Sequence, residues 1–313
     1  MAANDELLIF TTVAEVRTWS RSQRAAGRTV AFVPTMGYLH EGHISLVKAA
    51  LQHADVVVAS IYVNPTQFSK NEDFDVYPRS VDKDREQLRI AGAKAVFEPT
   101  SLYTSVPGQQ ETSNVVGREC QHPDAHETFV QVERLQTPLC AKSRPHFFRG
   151  VATIVTKLFN IVEPDVAVFG QKDFQQWRVI ERMVRDLDFP IKIVGLPICR
   201  EADGMAMSSR NARLSPESRQ SGLCISQALK WAAAAVQGPS PPTPAAIIQH
   251  VTQAITQAGG RVDYVELLSA DNLLEIEDAC KQPTLLAVAA HFPARDRGEV
   301  RLIDNMVLRV EVA

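Results

Sequence analysis

Three short stretches hold the side chains best suited to a charged substrate. His40-Glu41-Gly42-His43 sets two imidazoles three positions apart, Gly170-Gln171-Lys172-Asp173 sets an ammonium beside a carboxylate, and Met207-Ser208-Ser209-Arg210 sets two hydroxyls beside a guanidinium. Imidazole donates hydrogen bonds to phosphate oxygens and titrates closest to neutral pH. Lysine acts on phosphate as a point charge, whereas arginine grips it through a planar fork. Asp173 suits a ribose hydroxyl or holds the lysine. Together these groups would stabilise the charge that develops on a departing pyrophosphate. None singles out a site alone: an H-x-x-H is most often two ordinary histidines, Lys172 reads as a solvated turn residue, and Ser208 as a helix cap. Met36, Met205 and Met207 read by default as gap-filling core residues. Their weight comes from position.

The elements that would hold these stretches follow from the apolar pattern. Residues 29–33 form a short strand-type run ended by Pro34, and Ile44, Leu46, Val47, Ala50 and Leu51 recur at helical spacing, so a helix begins near Gly42 and His43. Such a strand-to-helix turn points backbone N–H groups and a positive dipole end at phosphate, and His40 and His43 share a face of its first turn. Residues 55–63 are nearly all apolar and mostly β-branched, as in a strand buried on both faces, and run into the polar loop 64–68. Strands are also expected at 7–10, 95–99, 166–169 and 191–194, and helices at 12–27 (with Gly27 as C-cap), 82–91, 150–162 (stopped by Pro164) and 174–186. This alternation predicts an α/β fold, a Rossmann-like doubly wound parallel sheet whose ligands sit beyond the strands' carboxyl ends. The three polar loops, each following a predicted strand, should then line one crevice.

Periodicity is weak over 101–145, where 128–132 is the best strand candidate. Beyond the polar loop 200–211, Ser215 reads as an N-cap with Pro216 at the first helical position, and residues 237–244 form a breaker cluster between two helices. Strands at 261–268 and 301–310 complete a smaller C-terminal α+β domain. A boundary near Ile198 divides the chain into 1–198, a nucleotide- and acid-binding domain, and 199–313, a lid.

The 313 residues are 45% hydrophobic and 22% charged with a net charge of −3, ordinary for a soluble globular protein and no electrostatic case for nucleic acid. The five cysteines, Cys120, Cys140, Cys199, Cys224 and Cys280, are widely spaced, without a C-x-x-C pair, which fits reduced thiols. The acidic start lacks the pattern of a signal peptide, and no apolar run approaches the ~20 residues that span a bilayer. A cytoplasmic protein without a membrane partner is the expectation.

P-T-M-G-Y-L-H-E-G-H at 34–43, V-N-P-T-Q-F at 63–68, G-Q-K-D-F-Q-Q at 170–176, M-S-S-R-N at 207–211 and R-L-I-D-N at 301–305 stand in the order and nearly the full span of the pantothenate synthetase (pantoate–β-alanine ligase) family, which the chain resembles. The resemblance implies attack of (R)-pantoate's carboxylate on the α-phosphate of ATP, giving pantoyl adenylate, then capture by β-alanine to give pantothenate and AMP. It implies an ATP site of Met36, His40, His43, Gly170, Lys172, Asp173, Cys199, Met207, Ser208, Ser209 and Arg210. Gln67 and Gln176 would hold pantoate, Gln67 would also face β-alanine, and Asn64 would support that pocket. Amides satisfy the hydroxyls and the carboxylate of such an acid, and a site built so rejects analogues lacking a hydroxyl. The family treats the counterpart of His43 as a proton donor; charge stabilisation is its physical role here, since a carboxylate needs no base to act as nucleophile. Mg2+ is expected on the phosphates, with Asp84 the candidate metal-linked carboxylate or simply a helix-capping one. A homodimer is likewise implied.

The chain departs from the family pattern at three places. Arg144-Pro145-His146-Phe147-Phe148 has Phe147 where the family has a histidine, although Arg144 is retained as a phosphate or pantoate contact. Gln171 and Phe174 replace the commoner glutamate and tyrosine, and the polar segment 105–127 is longer than in the compact bacterial pattern. Two other readings compete with the ligase. An adenylyltransferase that keeps the nucleotide on its product needs a phosphate-bearing acceptor site, which the amide set of Asn64, Gln67 and Gln176 argues against. A catalytically silent nucleotide-binding module is opposed by the joint presence of His40, His43, Lys172, Ser208, Ser209 and Arg210.

Overall fold

The computed structural model describes residues 6–68, 74, 77–103, 125–279 and 281–308. The chain divides into two compact units, one of Met1–Gln136, Arg144–Gln171 and Val179–Leu196, the other of Thr137–Ser143, Lys172–Arg178 and Pro197–Ala313.

The first unit is built on six parallel strands: β1 (Leu8–Phe10), β2 (Val30–Thr35), β3 (Val56–Ile61), β4 (Ala95–Phe97), β5 (Val166–Gly170) and β6 (Lys192–Leu196). Their order is β1-β4-β3-β2-β5-β6, so the sequence of crossovers reverses between β2 and β5. That switch point is where ligands enter such sheets, and the turn into α2 (Glu41–Ala50) departs from it. β2 and β3 pair from Val30 with Val56 to Thr35 with Ile61, and both are buried on nearly every residue. This confirms the doubly wound α/β expectation.

Pro34 does not end β2 but lies within it, opposite Ser60. Thr35 O accepts from Tyr62 N on the β3 side, so Pro34 faces the β5 side, where pairing stops at Phe32 with Ala167. No neighbour needs its missing N–H there.

Helix α1 (Val13–Ala25) opens with a capping box, Thr12 N donating to Glu15 Oε2 at 2.9 Å and Glu15 N to Thr12 Oγ1 at 3.3 Å. Helix α3 is Val81–Ala91, and α4 is Phe147–Val162. α4 ends at Val162, as expected ahead of Pro164, with Glu163 as its C-cap in the left-handed region at φ 52° and its carboxylate on Arg21. The strand expected at 128–132 is absent. Val130 N donates to Thr153 Oγ1 on α4 and the Arg149 guanidinium covers the Phe129 ring at 3.4 Å, so this stretch packs on a helix through its side chains. Cys120, His122, Cys280 and most of 105–127 lie outside the described residues.

In the second unit, α6 (Pro216–Ala235) and α7 (Pro244–Gln257) pack on an antiparallel sheet β7-β8-β9 (Arg261–Ser269, Thr284–Pro293, Glu299–Leu308) around Leu229, Ile247, Ile255 and Phe292. The N-cap expected at Ser215 is present, its Oγ accepting from Ser218 N at 3.1 Å. The central strand β8 was not anticipated: T-L-L-A-V-A-A-H-F is apolar on both faces and alanine-rich, with neither alternation nor a helical stripe. Segment 137–143 is tied to β7 by Cys140 Sγ to Tyr264 OH (3.3 Å), Lys142 to Glu266 (2.8 Å) and Ser143 to Asp263 (3.1 Å). Helix α5 (Phe174–Asp186) starts in this unit and continues in the first. Among the described residues no helix is long and apolar enough to cross a membrane.

Candidate active site

In the first unit the two histidines make the cap of α2 themselves. His40 is the N-cap residue, extended at φ −134° and ψ 172°, and its Nδ1 accepts from Gly42 N at 3.1 Å. His40 N in turn donates to His43 Nδ1 at 3.4 Å, and the rings lie 4.1 Å apart between centroids. This is a capping box in which imidazoles replace the usual hydroxyl and carboxylate. Each Nδ1 accepts from a backbone N–H, so each neutral ring carries its proton on Nε2. Two Nε2–H donors at a helix N-terminus suit a phosphate oxygen.

The loop ahead of this cap is held from α3. Asp84, 1% exposed, accepts from Tyr38 N and Leu39 N at 2.8 Å each and from Ser80 Oγ at 2.9 Å. Tyr38 and Gly37 both have positive φ, 51° and 83°, so this bracket fixes a turn that L side chains resist. Both Asp84 oxygens are engaged by the turn, so this carboxylate braces the loop. Met36 sits at the start of the same loop.

A second loop carries the amides. Pro65–Gln67 form one helical turn after β3, with Asn64 buried beneath. A Cβ on Gly150 of α4 would meet Thr66 O at 2.4 Å, so only glycine lets the turn rest on this helix. Arg144 Nη2 donates to Gln67 O at 3.0 Å, and its guanidinium lies 4.0 Å over the Phe147 ring. The phenylalanine that replaces the family's histidine thus supports an arginine by cation–π contact. Gly170 closes β5, paired with Leu196.

The second unit holds the remaining candidates. Lys172 and Asp173 form the turn Gln171–Asp173, and Asn305 Nδ2 of β9 donates to Lys172 O at 2.9 Å. Of the two glutamines that follow, Gln175 is buried in scaffolding, donating to Pro138 O (2.6 Å) and accepting from Cys140 N (3.2 Å). Gln176 is half-buried on the first turn of α5.

Ser208 caps the turn Ser209–Arg213, its Oγ accepting from Arg210 N at 3.3 Å, so the capping role and a hydroxyl able to donate coexist. Cys199 and Met207 flank a narrow hairpin, Met207 N donating to Cys199 O at 3.0 Å with the two sulfurs 3.5 Å apart. Arg200 secures that hairpin through a bidentate pair with Asp304 of β9, at 2.7 and 2.9 Å. Adjacent residues of the R-L-I-D-N motif therefore hold both loops: Asp304 the Ser208 hairpin, Asn305 the Lys172 turn. The sequence marked this motif without a role. Gly150 and Tyr103 carried no functional signal, and Thr66 stood in the V-N-P-T-Q-F motif without a role; only spatial contact exposes what they do.

Deeper in this unit, Cys140 Sγ lies 3.5 Å from Arg301 Nη2, and Arg301 pairs with Asp263 at 2.8 Å. Burial pushes the adjacent Tyr264 phenol well above its ordinary range, so it stays protonated. Cys140, Cys199 and Cys224 are free thiols, and burial pushes Cys224 up to about 11. Among the described residues no three His, Cys, Asp or Glu side chains gather to hold a metal ion.

A model of the family described as pantoate-beta-alanine ligase matches residues 8–307. The pantoate–beta-alanine ligase of Arabidopsis thaliana is 50% identical over 95% of this chain and 96% of its own, and the pantothenate synthetase of Geobacter sp. (strain M21) is 45% identical over 96% and 99%. The crystal structure of pantothenate synthetase from Thermus thermophilus superposes with a TM-score of 0.81 at 39% identity, covering 97% of this chain and 100% of that one. That of pantoate-beta-alanine ligase from Francisella tularensis, complexed with beta-gamma ATP and beta-alanine, gives 0.73 at 27% identity, covering 96% and 98%. With the cap at the switch point and the motifs in one order, these matches show that the chain belongs to the pantoate–beta-alanine ligase family.

Proposed function

We propose that the protein condenses (R)-pantoate with β-alanine at the expense of ATP, through a pantoyl adenylate. The observation that carries this reading is the histidine cap after β2, which holds two imidazoles at a helix N-terminus next to the switch-point strand. In the first step a pantoate carboxylate oxygen attacks the α-phosphorus and the bond to the bridging oxygen breaks, releasing diphosphate. Charge grows on the transferring phosphoryl and on the leaving group, and Nε2–H donors from His40 and His43 meet it without reorganising. Lys172 and Arg210 supply positive charge, Ser208 and Ser209 hydroxyl donors, and Asp173 a partner for ribose. Met36, Gly170, Cys199 and Met207 shape the nucleotide's surroundings, and Gln67, Gln176, Asn64 and Arg144 serve the acid. In the second step the neutral amine of β-alanine attacks the acyl carbon, the carbon–oxygen bond to AMP breaks, and the nitrogen loses a proton.

Mg2+ fits this chain as an ion brought by the nucleotide. With no carboxylate cluster among the described residues, phosphate oxygens and water would be its main ligands. Bound there, it would reduce the charge that the incoming carboxylate approaches. In this reading the C-terminal domain (199–313) serves as a lid, and the enzyme works in the cytoplasm as a homodimer. Replacing His43 by alanine tests the carrying observation: turnover should fall by about 10²–10³, and near-normal turnover would refute it.

A further inference from the structure

The amide of Gln67 ends a hydrogen-bonded chain whose direction is fixed by the backbone. Asn64, 1% exposed, sets its Nδ2 3.3 Å from the carbonyl oxygen of Gly150. A carbonyl only accepts, so the Asn64 atom facing it is the nitrogen. The same Nδ2 lies 2.9 Å from Gln67 Oε1. Gln67 therefore gives its oxygen to Asn64 and turns Nε2 toward Met36, 3.0 Å from the sulfur. On the other side, Asn64 Oδ1 accepts from Thr66 Oγ1 at 2.9 Å. A hydroxyl has one hydrogen. Used on Asn64, it leaves Thr66 Oγ1 to accept from Tyr103 OH, 3.2 Å away. The polarity is fixed from Tyr103 through Thr66 and Asn64 to Gln67, and no link can reverse without two acceptors or two donors meeting.

We propose that this relay makes Gln67 an obligate hydrogen-bond donor to the acid substrate, with Thr66 and Tyr103 as positioning residues that act through Asn64. The proposal rests on the reading that Gln67 contacts pantoate, and it adds the sign of that contact. The substrate atom at Gln67 Nε2 must carry a lone pair: a carboxylate or hydroxyl oxygen. An ammonium, which only donates, finds no partner at Nε2, so the amine of β-alanine is excluded from that atom. An amide free to flip would accept either polarity, whereas a fixed one rejects an analogue whose oxygen is replaced by a methylene.

Steady-state kinetics of the complete reaction, varying pantoate and ATP separately, test this. Gln67→Ala should raise the KM for pantoate and leave that for ATP near wild type; an unchanged pantoate KM overturns the contact on which the proposal rests. Gln67→Glu keeps the shape and the acceptor to Asn64 but has no donor when ionised. It should be as impaired as the alanine variant, and wild-type behaviour overturns the donor assignment alone. Thr66→Val, which removes the hydroxyl at nearly constant volume, should raise the pantoate KM about three- to tenfold, with Thr66→Ser restoring it. Tyr103→Phe, read beside thermal unfolding to confirm the fold, should move the same constant in the same direction. If Thr66→Val matches wild type, or valine and serine are equally impaired, the relay is wrong even though the Gln67 contact stands.

Discussion

Two histidines whose Nδ1 atoms accept from backbone N–H groups at one helix start, His40 from Gly42 and His43 from His40, are constrained in a way that two surface histidines are not. With each Nδ1 facing a backbone N–H, the nitrogen left to donate on each ring is Nε2. That is why His43→Ala should cost turnover more than fold. Gly150 shows the opposite balance. Any Cβ there strikes Thr66 O at 2.4 Å, so Gly150→Ala should destabilise by about 1–3 kcal/mol and displace the turn that carries Gln67. Urea denaturation and the pantoate KM would move together; a variant with both unchanged would contradict the packing described here. The residue types of the cap were legible in the sequence because H-x-x-H after a strand is a local pattern. Gly150 and Tyr103 were not, because each matters through a contact with Thr66, a residue distant from them in the chain.

At the scale of elements, one strand organises half of the candidate site. Asp304 and Asn305 of β9 are both buried and hold the Arg200 hairpin and the Lys172 turn respectively. Removing the acceptor from Arg200 leaves a largely desolvated guanidinium, so Asp304→Ala should lose about 3 kcal/mol of stability. Asn305→Ala should fold but weaken ATP, raising its KM about three- to tenfold as the Lys172 turn loses its tether; an unchanged ATP KM would separate that turn from the nucleotide. At the end of α4, hydrogen bonding and charge from Arg21 hold the Glu163 carboxyl below its usual range. A carboxyl depressed in the folded state stabilises above its unfolded value, about 4.3, and that contribution disappears as pH falls through the folded value. Glu163→Gln should therefore be less stable by under about 1 kcal/mol at neutral pH and converge with wild type in acid. A gap that widens on acidification would reverse the assignment. Strands that alternate or run β-branched were readable, as β2, β3 and β5 attest, whereas alanine-rich β8 gave no periodic signal and 128–132 gave a false one. Pattern reports which residues avoid water; it does not report whether a strand or a helix covers them.

For the whole molecule, the order of the motifs reached further than any one of them. The doubly wound sheet and the two edge strands of the small C-terminal sheet follow from local pattern, and family membership follows from matches over nearly the full length. The return of segments 137–143 and 172–178 to the C-terminal unit had no local signature, because it depends on side chains such as Lys142 and Asn305 finding partners more than a hundred positions away. The central claim concerns chemistry at that scale: an acid activated as its adenylate and then captured by an amine. Its most direct measurement is a substrate-omission assay with ATP and Mg2+, following diphosphate exchange into ATP and AMP release. Exchange should require pantoate alone, and sustained AMP release should require pantoate and β-alanine together. AMP release indifferent to pantoate, or no turnover with all substrates present, would contradict the account.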